Sequence, residues 1–218
     1  MMTPVLEQIG NHRVVPVVKI ETAQHALPLG QALMAGGLPL AEITFRTTAA
    51  PEAIQQLSDA LPEILVGAGT VLTIENVDQA VDAGARFIVA PGFNPKVVDY
   101  CIANNIPVVP GVNSPTEIEM GLNSGLGVLK YFPAEASGGL KMLKAMSAPY
   151  ADVKFMPTGG INIHNLSDYL AFDRVLACGG TWIAKTDLIS AGRFADITQM
   201  TKDVVKLIQN QRRFKKGE

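Results

Sequence analysis

Short apolar, β-branched runs recur along the chain at intervals of roughly 20–26 residues. They are VVPVVKI (14–20), LAEITFR (40–46), LVGAGTV (65–71), RFIVAPG (86–92), IPVVPGV (106–112), GVLKYFP (127–133), DVKFMPTGG (152–160) and RVLACGG (174–180). Positions of both parities are apolar within them, the pattern of strands covered on two faces. Between the runs the period becomes helical. Residues 50–61 place Ile54, Leu57 and Leu61 on one face, and Thr73 caps a segment carrying Ile74, Val77 and Val81 that Gly84 closes. Ser114-Pro115-Thr116-Glu117 reads as a capping box with proline at the first helical position. A last helix over about 195–210 lines up Ile197, Met200, Val204 and Ile208, and a short helix over about 3–11 precedes the first strand. The pattern is weak at two places: Pro28 interrupts the helix of the first repeat, and residues 182–190 are poorly patterned.

Eight strand–helix units predict an α/β chain: one (β/α)8 TIM barrel domain over residues 1–218, with a short N-terminal helix. A doubly wound open sheet is the alternative. It is disfavoured because Lys19-Ile20-Glu21-Thr22 stands where a dinucleotide fingerprint would follow the first strand.

Composition narrows the class. The 218 residues are 48% hydrophobic and 17% charged, with a formal net charge of −2. Such a chain packs a sizeable core and shows no basic surface for nucleic acid or an anionic membrane. The basic tail RRFKKGE (212–218) reads as a solvated helix end. Cys101 and Cys178 lie far apart in apolar surroundings, so they read as inert core thiols of a cytoplasmic protein. No leader or membrane span is expected.

In a barrel of this kind the chemistry lies at the C-terminal ends of the strands. Those ends carry Glu42, Thr44 and Arg46, which share a face by the period of two, then Thr70, Pro91-Gly92, Lys130 with Phe132, Pro157-Thr158-Gly159-Gly160 and Gly179-Gly180-Thr181. A lysine inside an apolar strand either reaches water or gives up its proton, and the second form is a nucleophile suited to Schiff-base chemistry. Glu42 and Arg46 read as an internal ion pair closing the barrel mouth. Combined with Lys130 they read instead as a carboxylate for proton transfer, a guanidinium for a substrate carboxylate and an amine for covalent catalysis. That set suits cleavage of a carbon–carbon bond beside a ketone. The glycine pairs after the last two strands read as a phosphate cradle or as two tight turns, and their place favours phosphate. His12, His25 and His164 are scattered without ligand spacing, so no metal is expected.

AEITFR (41–46), GAGTV (67–71), the APG and NPK of 90–96, PGV (110–112), KYFPAEASGG (130–139), PTGGI (157–161) and CGGTW (178–182) together resemble the 2-keto-3-deoxy-6-phosphogluconate / 4-hydroxy-2-oxoglutarate aldolase family. The resemblance runs from about residue 5 to 210. It implies a homotrimeric class I aldolase with no cofactor beyond the covalent imine. Such an enzyme cleaves the phosphorylated keto acid to pyruvate and glyceraldehyde 3-phosphate, and 4-hydroxy-2-oxoglutarate to pyruvate and glyoxylate. By motif position Lys130 resembles the imine-forming lysine and Glu42 the general acid/base. Arg46 and Thr70 match the ligands of the pyruvyl carboxylate, and Pro91 and Phe132 the walls of its pocket. Thr158, Gly159, Gly160, Gly180 and Thr181 fall where the family holds phosphate; position 181 is often serine, and threonine adds a methyl group. A galactonate-specific aldolase, a non-covalent sugar-phosphate epimerase or isomerase and a non-catalytic phosphate binder are the alternatives.

Overall fold

The computed structural model describes residues 2–216, with side chains through residue 211. The basic tail at 212–218 therefore lies outside the described side chains. The strands are β1 (Val14–Val18), β2 (Leu40–Thr44), β3 (Leu65–Gly69), β4 (Ile88–Val89), β5 (Val108–Val109), β6 (Gly111–Val112), β7 (Val128–Tyr131), β8 (Lys154–Phe155) and β9 (Cys178–Gly180). The helices are α1 (Pro4–His12), α2 (Ala26–Ala35), α3 (Ala50–Ala60), α4 (Ile74–Asp82), α5 (Pro95–Ala103), α6 (Pro115–Asn123), α7 (Gly139–Ser147), α8 (Leu166–Ala171), α9 (Thr186–Ser190) and α10 (Phe194–Lys216).

The strands are parallel, and the sheet curls as part of a barrel. Six of them lie in the order β5-β4-β3-β2-β1-β9, and β6-β7-β8 form a second ladder. Isolated parallel bridges, Phe155 with Val175 and Thr158 with Gly179, connect the β8 side to the β9 side. β1, β2 and β3 are buried on both faces, as continuous apolar runs require.

The fifth run, expected as one strand, is two. Pro110 has no N–H to give a ladder, so pairing breaks there. β5 pairs with β4, and β6 pairs with β7. The Pro110 carbonyl still works, accepting the Lys130 N–H at 2.9 Å.

The helix starts follow their local chemistry. Thr3 caps α1 and Thr73 caps α4, each accepting a backbone N–H in the first turn. At α6, Ser114 Oγ accepts the Glu117 N–H at 3.3 Å, while Glu117 Oε2 accepts the Asn113 N–H at 2.6 Å. The reciprocal arm of the capping box thus lands one residue early. Pro28 does not break its helix. It sits in the first turn of α2, where its missing N–H has no intrahelical partner to lose. Val81, assigned to the apolar stripe of α4, stands exposed, and Ala80 is buried instead.

Candidate active site

The site begins at β2. In the parallel register Glu42 stands opposite Val17 of β1 and Gly67 of β3, which places its carboxylate in the sheet interior. Glu42 is fully buried, and neither of its carboxylate oxygens accepts a hydrogen bond among the described residues. The seat for this group is Gly69. A Cβ there would lie 2.1 Å from Glu42 Oε1, so any larger residue would displace the carboxylate.

A buried carboxylate without hydrogen bonds is costly, and a cation is the usual compensation. Lys130 Nζ lies 3.7 Å from Glu42 Oε1 with its side chain 5% exposed. Lys130 is therefore nearly buried and does not extend into solvent. It also stands over the Phe132 ring, with Nζ 5.1 Å from the centroid. The ion pair between Glu42 and Arg46 considered from the sequence gives way to this one. Glu42 pairs with the lysine instead.

Arg46 leaves the strand face. β2 ends at Thr44, whose hydroxyl donates to the Val18 carbonyl at 2.8 Å. The Arg46 N–H then turns back to the Thr44 carbonyl at 2.7 Å, so the period of two ends before position 46. The exposed guanidinium instead meets Thr70, Nε donating to Oγ1 at 3.3 Å. Thr70 has φ 57°, a left-handed backbone that is unusual for a β-branched residue. Two expected carboxylate ligands are thus joined by one hydrogen bond at the end of adjacent strands.

The remaining positions divide. The Pro91 carbonyl packs against Gly111, and Gly111 is the ladder partner of Lys130. Phe132 is half-buried between Lys130 and the loop after β8, and the Phe132–Pro133 peptide is cis. Thr158 is buried and bridges to Gly179, while Gly159 (φ 99°) and Gly160 (φ 81°) make a left-handed turn that favours glycine. Gly180 lies beneath the Trp182 ring. Thr181 is exposed and lines a cavity of about 460 Å³ with Lys19, Arg46, Trp182 and Lys185. The hydroxyl expected for phosphate and the guanidinium expected for carboxylate therefore open onto the same space.

Neither cysteine belongs to this set. Burial pushes the Cys101 thiol up to about 11 and the Cys178 thiol higher still. Among the described residues no group of three or more His, Cys, Asp or Glu side chains is placed to hold a metal ion. No described helix is long and apolar enough to cross a membrane. Two groups carry no signal in the hydrophobic pattern: Glu135, embedded in KYFPAEASGG, and Tyr169 on α8, whose hydroxyl donates to Glu135 Oε1.

The model of the KDPG and KHG aldolase family matches residues 5–200. The chain belongs to the KDPG and KHG aldolase family. It is 45% identical over 207 residues to a 2-dehydro-3-deoxy-phosphogluconate aldolase of Treponema pallidum, covering 95% of this chain and 99% of the relative. It is 40% identical over 193 residues to the KHG/KDPG aldolase of Escherichia coli, covering 88% and 91% respectively. Among solved structures it is similar to a KDPG aldolase of Legionella pneumophila, with TM-score 0.89 and 39% identity over 94% of this chain and 99% of that one. That protein was crystallised with pyruvate captured at low pH as a covalent carbinolamine intermediate.

Proposed function

We propose that this chain is a class I aldolase that cleaves 2-dehydro-3-deoxy-6-phosphogluconate to pyruvate and glyceraldehyde 3-phosphate. It also cleaves 4-hydroxy-2-oxoglutarate to pyruvate and glyoxylate. The observation that carries the reading is the buried pair of Lys130 and Glu42 at 3.7 Å, in a chain of this family.

Lys130 passes its ammonium proton to Glu42, and the free amine attacks the C2 ketone. Glu42 returns that proton to the carbinolamine hydroxyl, which leaves as water to give a protonated imine. The imine draws the electrons of the C3–C4 bond as that bond breaks. Glu42, through a water, accepts the proton of the C4 hydroxyl, and the aldehyde leaves. The resulting enamine is protonated at C3, and water hydrolyses the imine to release pyruvate and the free amine. The imine itself is the electron sink, so the chemistry needs neither metal nor organic cofactor. Arg46 and Thr70 bind the pyruvyl carboxylate, Pro91 and Phe132 wall the pyruvyl group, and Thr158, Gly159, Gly160, Gly180 and Thr181 hold the phosphate.

The two ladders are read as one closed (β/α)8 barrel in a single domain. The Phe155–Val175 and Thr158–Gly179 bridges support closure on one side, and the Lys130 bond to Pro110, between β5 and β6, supports it on the other. The enzyme is a cytoplasmic homotrimer on the strength of the family resemblance.

Borohydride reduction in the presence of pyruvate is expected to leave a stable adduct on the peptide that carries Lys130. An unmodified Lys130 peptide overturns the mechanism and leaves a non-covalent epimerase or isomerase. A coupled pyruvate-release assay with the gluconate, galactonate and hydroxyglutarate substrates side by side ranks them, and the phosphogluconate derivative is expected to be fastest.

A further inference from the structure

The loop after β7 is bonded to the glycine turn after β8. The Ala134 N–H donates to the Thr158 carbonyl at 2.8 Å, and the Glu135 N–H donates to the Gly159 carbonyl at 3.0 Å. Glu135 then packs its stem on Gly160, where a Cβ would lie 2.5 Å from the Glu135 Cβ. This puts an ionisable carboxylate directly beside a turn proposed to hold a phosphate dianion. A like charge at a few ångströms weakens anion binding.

The side chain is turned aside. The Tyr169 hydroxyl donates to Glu135 Oε1, and that oxygen lies 3.0 Å from where a Cβ on Gly139 would stand. The carboxylate head is thus drawn over Gly139 while only its stem covers Gly160. Tyr169 is 2% exposed, which limits its freedom. Burial, reinforced by the hydrogen bond to Glu135, raises the pKa of its phenol, so it stays protonated and keeps donating. A fourth bond, from the Tyr131 hydroxyl to the Ser137 carbonyl at 3.0 Å, pins the same loop from the strand side.

We propose that Tyr169 and Glu135 are positioning residues for the phosphate-bearing end of the substrate. Tyr169 holds the Glu135 carboxylate away from the Gly159–Gly160 turn, and the Glu135 backbone holds that turn against the loop carrying Phe132. The pair thereby favours phosphorylated keto acids over unphosphorylated ones. This rests on the aldolase reading and on the phosphate assignment of the glycine turn.

The test compares the phosphorylated keto acid with 4-hydroxy-2-oxoglutarate, which lacks the phosphate. Tyr169→Phe frees the carboxylate and is expected to raise KM for the phosphorylated substrate roughly five- to tenfold, and less at high salt. It should leave kcat, KM for 4-hydroxy-2-oxoglutarate and borohydride trapping of pyruvate within about twofold. Adding Glu135→Gln to Tyr169→Phe removes the charge and should restore the phosphorylated KM, which a purely structural tyrosine would not allow. Equal KM changes for both substrates, or a double variant no better than the single, overturn the proposal. If Tyr169→Phe fails to fold by circular dichroism, Glu135→Asp and Glu135→Gln decide. Aspartate keeps the charge but shortens the reach to Tyr169, so its phosphorylated KM should rise severalfold above that of Glu135→Gln. Equal values for the two overturn the proposal. Failure of the unaltered protein to trap pyruvate or release it from either substrate would instead remove the aldolase reading.

Discussion

Glu42 Oε1 lies 3.7 Å from Lys130 Nζ, both side chains are buried, and the carboxylate has no other polar partner among the described residues. The lone pairs it leaves unused are those a proton acceptor needs. Glu42→Gln is therefore expected to lower turnover by roughly 10²–10⁴-fold. Trapping of pyruvate on Lys130 should persist within a few-fold. Single-turnover cleavage and borohydride trapping measured on the same preparation check this; equal losses in both would remove the proton-transfer role.

Gly69 is the seat of that carboxylate. Gly69→Ala places a methyl 2.1 Å from Glu42 Oε1, a distance that forces the group to move. The variant should lose about 1–3 kcal/mol of stability from overpacking. It should also lose activity approaching that of Glu42→Gln. Urea unfolding and steady-state kinetics test the two parts, and an alanine variant with full activity would show that Glu42 works from another position.

Arg46 reaches Thr70 through its Nε, which leaves the rest of its planar fork for a carboxylate. Arg46→Lys keeps the charge and loses the fork. The KM for both keto acids should rise about tenfold, with kcat changed less. If kcat falls and KM holds, Arg46 acts on the transition state and not on ground-state binding.

The cysteines give a prediction independent of the chemistry. With Cys101 pushed to about 11 and Cys178 higher, the thiolate that reacts with iodoacetamide is scarce at pH 8 in the folded chain. Both thiols should stay unmodified in the native protein and react fully in denaturant, as read by mass spectrometry. The sign for stability follows: the raised folded values favour the unfolded chain once its exposed thiols ionise. Stability should therefore fall as pH rises from about 8.5 towards 11. Rapid native alkylation at pH 8 would contradict the burial of both groups.

Much of the fold was legible because strands and helix starts are written locally. All eight apolar runs contain strands, the short leading helix is present as α1, and Thr73 and Ser114 mark helix starts that the structure uses. The misreadings were also local in cause. Pro110 removes one donor and splits a strand, whereas Pro28 sits where no donor is missed. Extending the strand period through position 46 failed because the Arg46 N–H closes a turn onto Thr44.

By itself the sequence determined where apolar segments alternate and which residue types stand at their ends, since burial periodicity and capping act over a few neighbouring residues. Lysine, glutamate, arginine and the glycine pairs could be named from that alone. Only the tertiary structure decided who meets whom. The parallel register sets Glu42 against the glycines of β3, brings its oxygen to Lys130 in place of Arg46, and turns Glu135 towards Tyr169, 34 residues away. Those pairings depend on close approach between segments distant in the chain, at positions such as Gly69 and Gly160 where a single Cβ would forbid it.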